Sequence, residues 1–437
     1  MSDLQNAVPE GTAPEGTAPE GTAPEGSGRG NGMSRRAIAA AFTGAVAGFV
    51  GATVLTEHGF GKARQGGFPI QAELTSYPVG PADWLAPCGT DPTGATDSAN
   101  IAAALAKGPV FLQAGTFVIN QRIVIPGGGI LRGVSGIPVA VSSSQQDFPG
   151  TVITYGTGFA DTALIEVAGA FAVISELNLN GNNGTAQPSG LDGIYVDDTG
   201  GGLRMENVGI FTVSHNGINM ANTAKAEICA RNVIVAHAGN NGFSCMATDS
   251  TWDNCYALGC KGSGFYIAGE QANSKWINCR SEWSAGPGWV LTGSWNNGPG
   301  SGGLLMSQCS TDRSGKAGIE INATGNMPLV ISGFMARRDG SSGGYAAVQI
   351  DAATIPVMIS DLSVYPGVND DGTGAITPVT GIETSGPLTY VSLVNAFIHA
   401  YTTPISGSTP ISAYRAVVTR TGPTNSPSAV TMLADSA

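Results

Sequence analysis

The sequence has little charge: only 12% of its 437 residues are Asp, Glu, Lys or Arg. A disordered chain needs more charge than this, so most of the chain is expected to fold. The Leu-, Lys- and Glu-rich pattern of helical proteins is also missing. The chain contains 64 glycines and 25 prolines instead. This composition favours many short strands joined by turns.

Positive charge is scarce as well. Lys and Arg number 20 against 32 Asp and Glu, which gives a net charge of −12. An acidic surface repels phosphate backbones, so nucleic acid is not an expected partner. No CxxC or Cys/His spacing typical of zinc occurs, and no metal or cofactor is expected. The seven cysteines are an odd number, so intramolecular pairing would leave at least one free thiol.

The N-terminal region begins with a polar tail. Residues 9–26 repeat the letters PEGTA and have no apolar face. Such a repeat cannot bury anything, so residues 1–32 are expected to be disordered.

A leader is predicted over residues 33–67. The pair Arg35-Arg36 precedes an uncharged, Ala- and Gly-rich stretch, residues 37–55. This combination indicates a twin-arginine-like export signal that is either cleaved or kept as an anchor in contact with the membrane; a buried core helix is the alternative. Residues 68–437 would form the folded domain of an exported protein, secreted or anchored at the cell surface.

The folded region repeats itself from about residue 203. An Asn, or in the last copy a Gln, is followed ten residues later by Gly and a bulky apolar residue. A fixed spacing of ten within a variable spacing near 24 predicts one solenoid coil per repeat, with the Asn at a left-handed bend and a variable loop on one edge. The Leu-x-x-Leu-x-Leu signature of leucine-rich repeats and the Trp-Asp blades of propellers are missing. The bend residues are Asn207, Asn232, Asn254, Asn278 and Gln308.

Residues 88–135 carry a more specific signal. The letters GTDPTGATDSANIAAALA, GPVFLQAGTFVI and IVIPGGGILRGVSG resemble the opening of the pectate-lyase-like right-handed β-helix superfamily, found in secreted carbohydrate-active enzymes and phage tailspikes. The resemblance implies an all-β, right-handed parallel β-helix, an N-terminal capping helix and a carbohydrate-facing side. Asp97 or Ser98 is expected to cap that helix.

The resemblance does not fix one reaction. Polygalacturonases with this fold use N-T-D, D-D, G-H-G and R-I-K motifs. This sequence contains only the pairs Asp197-Asp198 and Asp370-Asp371, so polygalacturonase activity is not implied.

The repeat also predicts which side chains point inward. Positions one and three residues after each bend are mostly apolar or small and should face the interior. Cys255, Cys279 and Cys309 occupy the first of these positions on successive coils. They are expected to form a buried column of small side chains, with a disulfide between adjacent coils as the alternative.

Positions two and four after the bend should face outward, and they gather charge and aromatic rings in one region. Glu282 and Asp312 share position four on consecutive coils, so they are the candidate catalytic carboxylates. Aromatic rings can stack on sugar rings and arginines can bind acidic groups. The alternative is a salt-bridge ladder of Glu282 and Asp312 with arginines. The candidate substrate-binding residues are Arg280, Trp283, Arg313, Arg337, Tyr256, His237 and Trp295.

Two insertions are expected to wall a groove. They are residues 181–190 and 294–303, and Trp295 in the second is expected to touch a sugar. The sequence therefore predicts an exported protein that cleaves a polysaccharide by hydrolysis or elimination. A non-catalytic glycan-binding adhesin or tailspike-like protein is the second hypothesis.

Overall fold

A coil of three strands repeats along the chain and sets the architecture. A computed structural model describes residues 84–134, 150–182, 186–296, 302–420 and 430–432. The predicted tail and leader, residues 1–67, lie outside these residues. Residues 77–437 belong to one compact unit. Among the described residues, no helix combines the length and apolarity needed to span a bilayer.

Helix α1 (Ala95–Leu105) packs against the first strands of the solenoid. The predicted caps are wrong, because the helix begins three residues earlier, after Gly94 in a left-handed conformation. Asp97 is buried and binds the strands instead: its carboxylate accepts hydrogen bonds from the backbone N–H groups of Cys88 (2.8 Å) and Val118 (2.9 Å).

Three faces of parallel strands form the solenoid. Face 1 comprises β1 (Val110–Phe111), β4 (Ile130–Arg132), β7 (Val173–Asn180), β9 (Arg204–Phe211), β11 (Cys229–Ala236), β13 (Thr251–Asp253), β16 (Lys275–Ile277), β20 (Leu304–Ser307), β24 (Leu329–Ser332), β27 (Pro356–Ser360), β30 (Tyr390–Val394), β33 (Ile411–Tyr414) and β35 (Val430–Met432).

Face 2 follows the bend and is continuous with face 1, because β7, β9 and β11 run through the bend into both faces. Its other strands are β2 (Gly115–Ile119), β5 (Thr151–Tyr155), β14 (Tyr256–Leu258), β17 (Arg280–Glu282), β21 (Ser310–Asp312), β25 (Met335–Arg337), β28 (Ser363–Tyr365), β31 (Phe397–Ala400) and β34 (Val417–Arg420).

Face 3 is a separate sheet that completes each coil. Its strands are β3 (Ile123–Pro126), β6 (Ala163–Ala168), β8 (Asp192–Val196), β10 (Ile218–Ala226), β12 (Phe243–Thr248), β15 (Phe265–Ala268), β18 (Trp289–Thr292), β22 (Ile319–Ile321), β26 (Ala346–Asp351), β29 (Thr380–Ser385) and β32 (Thr403–Gly407). A short outer pair joins β19 (Ser294–Trp295) to β23 (Thr324–Gly325).

The bend between faces 1 and 2 has the predicted left-handed geometry. Asn207, Asn232, Asn254 and Asn278 have φ values of 54, 53, 52 and 52°, a region that Asn tolerates better than most residues. Their side chains bond from coil to coil at 2.9, 2.7 and 3.1 Å. Hydrogen bonds between these Asn side chains thus connect successive coils along the axis of the solenoid.

The core consists of apolar columns that run through successive coils. On face 3, the rings of Phe243, Phe265 and Trp289 stack at 4.7 and 3.9 Å. On face 1, Trp252 and Trp276 stack at 4.5 Å. Stacked rings of this kind add roughly 0.5–1.5 kcal/mol per pair beyond their burial. The core therefore forms a rigid support for the side chains outside it.

The predicted cysteine column is confirmed as a set of buried side chains. Cys255, Cys279 and Cys309 are at most 1% exposed. All seven cysteines are free, so the disulfide alternative is wrong. The thiols face backbone carbonyl groups instead. For example, Sγ of Cys279 lies 3.5 Å from the carbonyl oxygen of Trp252.

Candidate functional site

The candidate carboxylates Glu282 and Asp312 lie side by side on face 2. Strands β17 and β21 pair in parallel with Glu282 opposite Asp312, which separates their backbones by about 4.8 Å. Both side chains were expected at the surface, and this expectation is wrong. They are only 12% and 4% exposed, because arginine side chains and a loop lie over them.

Glu282 is held by two neighbours from face 2. It forms an ion pair with Arg280 on the same strand and accepts a hydrogen bond from the hydroxyl of Tyr256. Tyr256 stands opposite Arg280 in the sheet, and the guanidinium lies 5.8 Å from its ring centroid. Burial raises the pKa of Tyr256 to about 12, so this phenol keeps its proton and acts as a donor.

Asp312 is held by two consecutive arginines. The Arg338 guanidinium binds both carboxylate oxygens in a fork, with Nε donating to Oδ1 at 2.7 Å, and Arg337 binds Oδ2. Burial alone would raise the pKa of Asp312, but the hydrogen bonds from Arg338 and Arg337 outweigh burial and lower it. Asp312 is therefore an ionised carboxylate at neutral pH and has no proton to donate.

Arg313 has a different partner from the one expected in a salt-bridge ladder. Its Nη1 donates to the hydroxyl of Thr377 at 3.3 Å, and its side chain is buried. Burial, together with the charge of Arg338, lowers the pKa of Arg313. Asp312 is thus neutralised by Arg337 and Arg338, and Arg313 makes no ion pair with it.

A loop after β28 closes over this cluster. Its two ends pair through Gly367 and Thr377, with backbone hydrogen bonds of 2.9 and 3.0 Å. Between them, Asp370 forms an ion pair with Arg338. Neither predicted insertion supplies this cover. The Asp370-Asp371 pair was visible in the sequence, but its contact across 32 residues is not encoded in the repeat.

Trp283 and His237 flank the cluster at a second left-handed bend, with φ values of 57 and 58°. The indole of Trp283 is 40% exposed, so it offers an open aromatic face. His237 is half-buried, and its Nε2 has no hydrogen-bond partner among the described residues. Burial lowers the pKa of His237, so its ring is neutral at pH 7.

The sugar contact predicted for Trp295 is wrong. Its side chain is 0% exposed, and its indole N–H donates to the carbonyl of Thr292 at 2.9 Å. The ring is fully covered, so no sugar can stack on it. Residues 297–301 of the same insertion lie outside the described part of the chain.

The first predicted insertion, residues 181–190, begins four coils before Trp283. Gln187 donates to the carbonyls of Gly181 (2.8 Å) and Thr212 (2.5 Å), and Ser214 donates to the carbonyl of Pro188 at 2.6 Å. Residues 183–185 of this insertion lie outside the described residues. The described part of the insertion is thus hydrogen-bonded to the coil of β9, which precedes the coil that carries Trp283.

In this region two arginines are exposed and the two candidate carboxylates are buried. Arg280 and Arg337 are 48% and 43% exposed, whereas the carboxylates beneath them are nearly covered. A ligand approaching face 2 therefore meets guanidinium groups and the Trp283 ring first. The surface thus presents exposed guanidinium groups although the chain as a whole has a net charge of −12.

A second polar cluster escaped the sequence analysis. At the edge of face 3, Asp192 lies 2.8 Å from Nδ1 of His215 and also accepts a hydrogen bond from the Asn219 amide at 2.8 Å. The signal was an Asp before Gly193, where later coils have Asn216 and Asn241 before glycine. No group of three potential metal ligands occurs among the described residues.

The chain is similar in structure to several solved β-helix proteins. No family model matches it, and no curated protein matches it in sequence. The mannuronan C-5 epimerase AlgE4 A-module of Azotobacter vinelandii aligns with a TM-score of 0.52 and 15% identity over 77% of this chain and 96% of that chain.

Two other solved structures align comparably. The enzymatically active domain of tailspike protein 2 from bacteriophage CBA120 has a TM-score of 0.52 and 13% identity, over 69% of this chain and 44% of that chain. The catalytic domain of a GH87 α-1,3-glucanase has a TM-score of 0.51 and 11% identity, over 82% and 69%. These likenesses identify the fold: a right-handed parallel β-helix, consistent with the pectate-lyase-like resemblance.

Proposed function

We propose that this chain is a carbohydrate-active β-helix protein that binds an acidic polysaccharide on face 2 and acts on it there. The observation that carries the proposal is the exposure of Arg280 and Arg337 beside Trp283, above carboxylates that are already paired. Guanidinium groups suit carboxylate-bearing sugars, and an exposed indole suits the apolar face of a sugar ring.

The comparisons support this proposal through the fold. The similar solved structures are named as a mannuronan epimerase, a phage tailspike domain and an α-1,3-glucanase. The same fold therefore serves several proteins that act on polysaccharides. Because each likeness is below 25% identity, the substrate is proposed from the charges of this chain and not from those names.

The charge state of Asp312 limits its role in either reaction. A pair of carboxylates that hydrolyses a glycosidic bond needs one member to donate a proton, and because Asp312 is held ionised by Arg337 and Arg338, only Glu282 could be that donor. Elimination needs no protonated carboxyl. In elimination a base takes the proton from the carbon next to the uronate carboxylate, the C–O bond at the neighbouring carbon breaks and a C=C double bond forms. The departing oxygen takes up a proton from water and leaves as a hydroxyl group. Arginine can neutralise the uronate, and Glu282 is the candidate base.

A non-catalytic glycan binder is the second candidate. The observation that favours it is the fork from Arg338 to Asp312, which occupies both carboxylate oxygens. In that case face 2 binds the polysaccharide without turning it over.

The test is an assay of polygalacturonate and alginate, with dextran as a neutral polymer, for reducing ends and for absorbance from a new double bond. Glu282→Gln and Asp312→Asn should each lower turnover by at least tenfold, which is about 1.4 kcal/mol of transition-state stabilisation. Glu383→Gln on face 3 is the matched control. Full turnover by both variants would exclude the pair, and binding without turnover by the wild type would identify the binder.

A further inference from the structure

A hydrogen-bonded ladder runs along the edge of face 3 and explains one of the three contacts of the Asp192 carboxylate. Asp192 Oδ1 accepts the backbone N–H of Asn216 at 2.9 Å. In the same way, Asn216 accepts from the N–H of Asn241 at 3.1 Å, and Asn241 from that of Ser263 at 2.9 Å. On two coils, therefore, a neutral amide side chain accepts the backbone N–H of the next coil. The negative charge of Asp192 is not needed for the ladder.

The negative charge of Asp192 contacts the imidazole of His215. Nδ1 of His215 lies 2.8 Å from Oδ1 of Asp192, and the Asn219 amide donates to Oδ2 at 2.8 Å. The imidazole is 40% exposed, whereas the Asp192 side chain is 7% exposed. Burial raises the pKa of Asp192, and the hydrogen bonds from Asn219, Asn216 and His215 oppose that rise. A buried carboxylate thus supports a half-exposed imidazole.

The contact with Asp192 indicates which nitrogen of the ring carries the proton. A 2.8 Å contact to a carboxylate is a charge-assisted hydrogen bond from Nδ1–H. The Asn216 amide nitrogen lies 3.1 Å from the same Nδ1, but a protonated nitrogen cannot accept from it. Near Nε2 lies the Asn240 amide nitrogen at 3.5 Å, which is a donor. Nε2 is therefore the acceptor nitrogen.

We propose that Asp192 and His215 build a second saccharide site, on face 3, in which a sugar hydroxyl replaces the long 3.5 Å contact of the Asn240 amide and donates a hydrogen bond to Nε2 of His215. Tyr195 and Asn219 stand opposite each other in the neighbouring strands and flank the pair with an aromatic ring and an amide. A buried carboxylate disfavours a second anion, so this site takes neutral hydroxyl-bearing sugars. Only the choice of sugars as ligands rests on the proposed function.

The acceptor role can be measured without knowing the sugar, by labelling with diethyl pyrocarbonate and mass spectrometry. The reagent acylates an accessible, unprotonated imidazole nitrogen. His215 should label fast, whereas His237, whose Nε2 is buried, should label slowly in the same sample. Asp192→Asn keeps the ladder acceptor but replaces the charge-assisted hydrogen bond that fixes the proton on Nδ1 with a weaker one. In labelling at pH 8 it should slow the reaction of His215 severalfold and leave the reaction of His237 unchanged.

The ligand is tested by protection from the same reagent. Neutral gluco-, galacto- and manno-hexaoses should slow labelling of His215 in the wild type, and equally in the double variant Arg280→Gln/Arg337→Gln. Polygalacturonate binding should fail in that double variant and survive in His215→Gln. The two sites can thus fail independently. Equal labelling of His215 in wild type and Asp192→Asn, or protection by none of the hexaoses, would overturn the second site.

Discussion

Asp339 is a carboxyl group buried inside the solenoid, next along the chain from the fork of Arg338. It is 0% exposed and accepts hydrogen bonds from the Thr311 hydroxyl at 2.6 Å and the Ser314 N–H at 2.9 Å. Burial raises its pKa to about 7. At lower pH the folded chain therefore carries a proton here that an unfolded chain, with a carboxyl pKa of about 4, has already released.

This residue predicts a stability that falls as pH rises. Between pH about 4 and about 7 the folded state binds more protons at Asp339 than the unfolded state, so the free energy of unfolding decreases with pH in that window. Asp339→Asn removes the ionisable group and should flatten this part of the curve. Urea unfolding at several pH values measures it. Parallel curves for wild type and variant would contradict the buried, protonated carboxyl.

The cysteine column makes a second prediction at the same scale. Native protein should react slowly with a thiol reagent at Cys255, Cys279 and Cys309, and burial raises the pKa of Cys279 and Cys309 well above the usual thiol range. The exposed Cys229 is the internal control and should react first. Cys279→Ala should cost on the order of 1 kcal/mol of stability. Equal labelling of all four thiols would refute the register of the coils.

Among the elements, the Asn bend is the feature that ties neighbouring coils together. Asn254 donates to Asn232 at 2.7 Å and accepts from Asn278 at 3.1 Å. Asn254→Ala should lose both bonds and also place Ala in left-handed geometry, at a cost of roughly 1–3 kcal/mol.

The matched control for that element is Asn395→Ala. Asn395 has the same left-handed geometry, with φ 51°, but its side chain makes no ladder bond to a neighbouring Asn. Asn395→Ala should therefore lower the free energy of unfolding by less than Asn254→Ala does. The difference is the contribution of the two ladder bonds, about 1 kcal/mol or more. Urea midpoints compare the two variants, and equal losses would leave the ladder without a measurable role.

The repeat predicted the elements of faces 1 and 2 because its spacing is a local property of the chain. Asn207 to Gln308 mark every bend from β9 to β21, and positions such as Val233 and Cys279 are buried as expected. The same spacing predicted that Glu282 lies opposite Asp312. Their burial was missed, because it depends on side chains from other coils and on the loop that carries Asp370.

Other contacts of the site also depend on tertiary structure that a repeat does not contain. Trp295 was expected outside, yet it lies in the short pair of β19 and β23 and its side chain is buried. Arg338 binds Asp312 on the preceding coil. His215 contacts Asp192 only because neighbouring coils stack. Catalytic roles for Glu282 and Asp312 remain a proposal at this scale.

For the whole chain, the leader that the sequence predicts leads us to expect export. Arg35-Arg36 precedes the apolar stretch 37–55, the order of a twin-arginine signal. A double Lys substitution in a host with a working twin-arginine system should block export, and mass spectrometry of the mature N-terminus should separate a cleaved signal from an anchor. Unchanged export would point to general secretion or an anchor instead.

The charge distribution of the molecule gives a further prediction. Binding of polygalacturonate should weaken as salt rises, because exposed guanidinium groups are screened. Arg280→Gln and Arg337→Gln should each weaken binding about tenfold, roughly 1.4 kcal/mol. Arg231→Gln on face 1, a residue whose side chain is 62% exposed, should bind as the wild type does. Isothermal titration at two salt concentrations compares them, and equal affinities for all four proteins would contradict a cationic site.

The most direct test of the account is a crystal structure of the protein with a bound oligogalacturonate. The account predicts sugar density across face 2, with uronate carboxylates at Arg280 and Arg337 and a sugar ring against Trp283. Occupancy of face 2 in the wild type should disappear in the double variant Arg280→Gln/Arg337→Gln. Density only elsewhere on the solenoid, or identical density in the wild type and that variant, would contradict it.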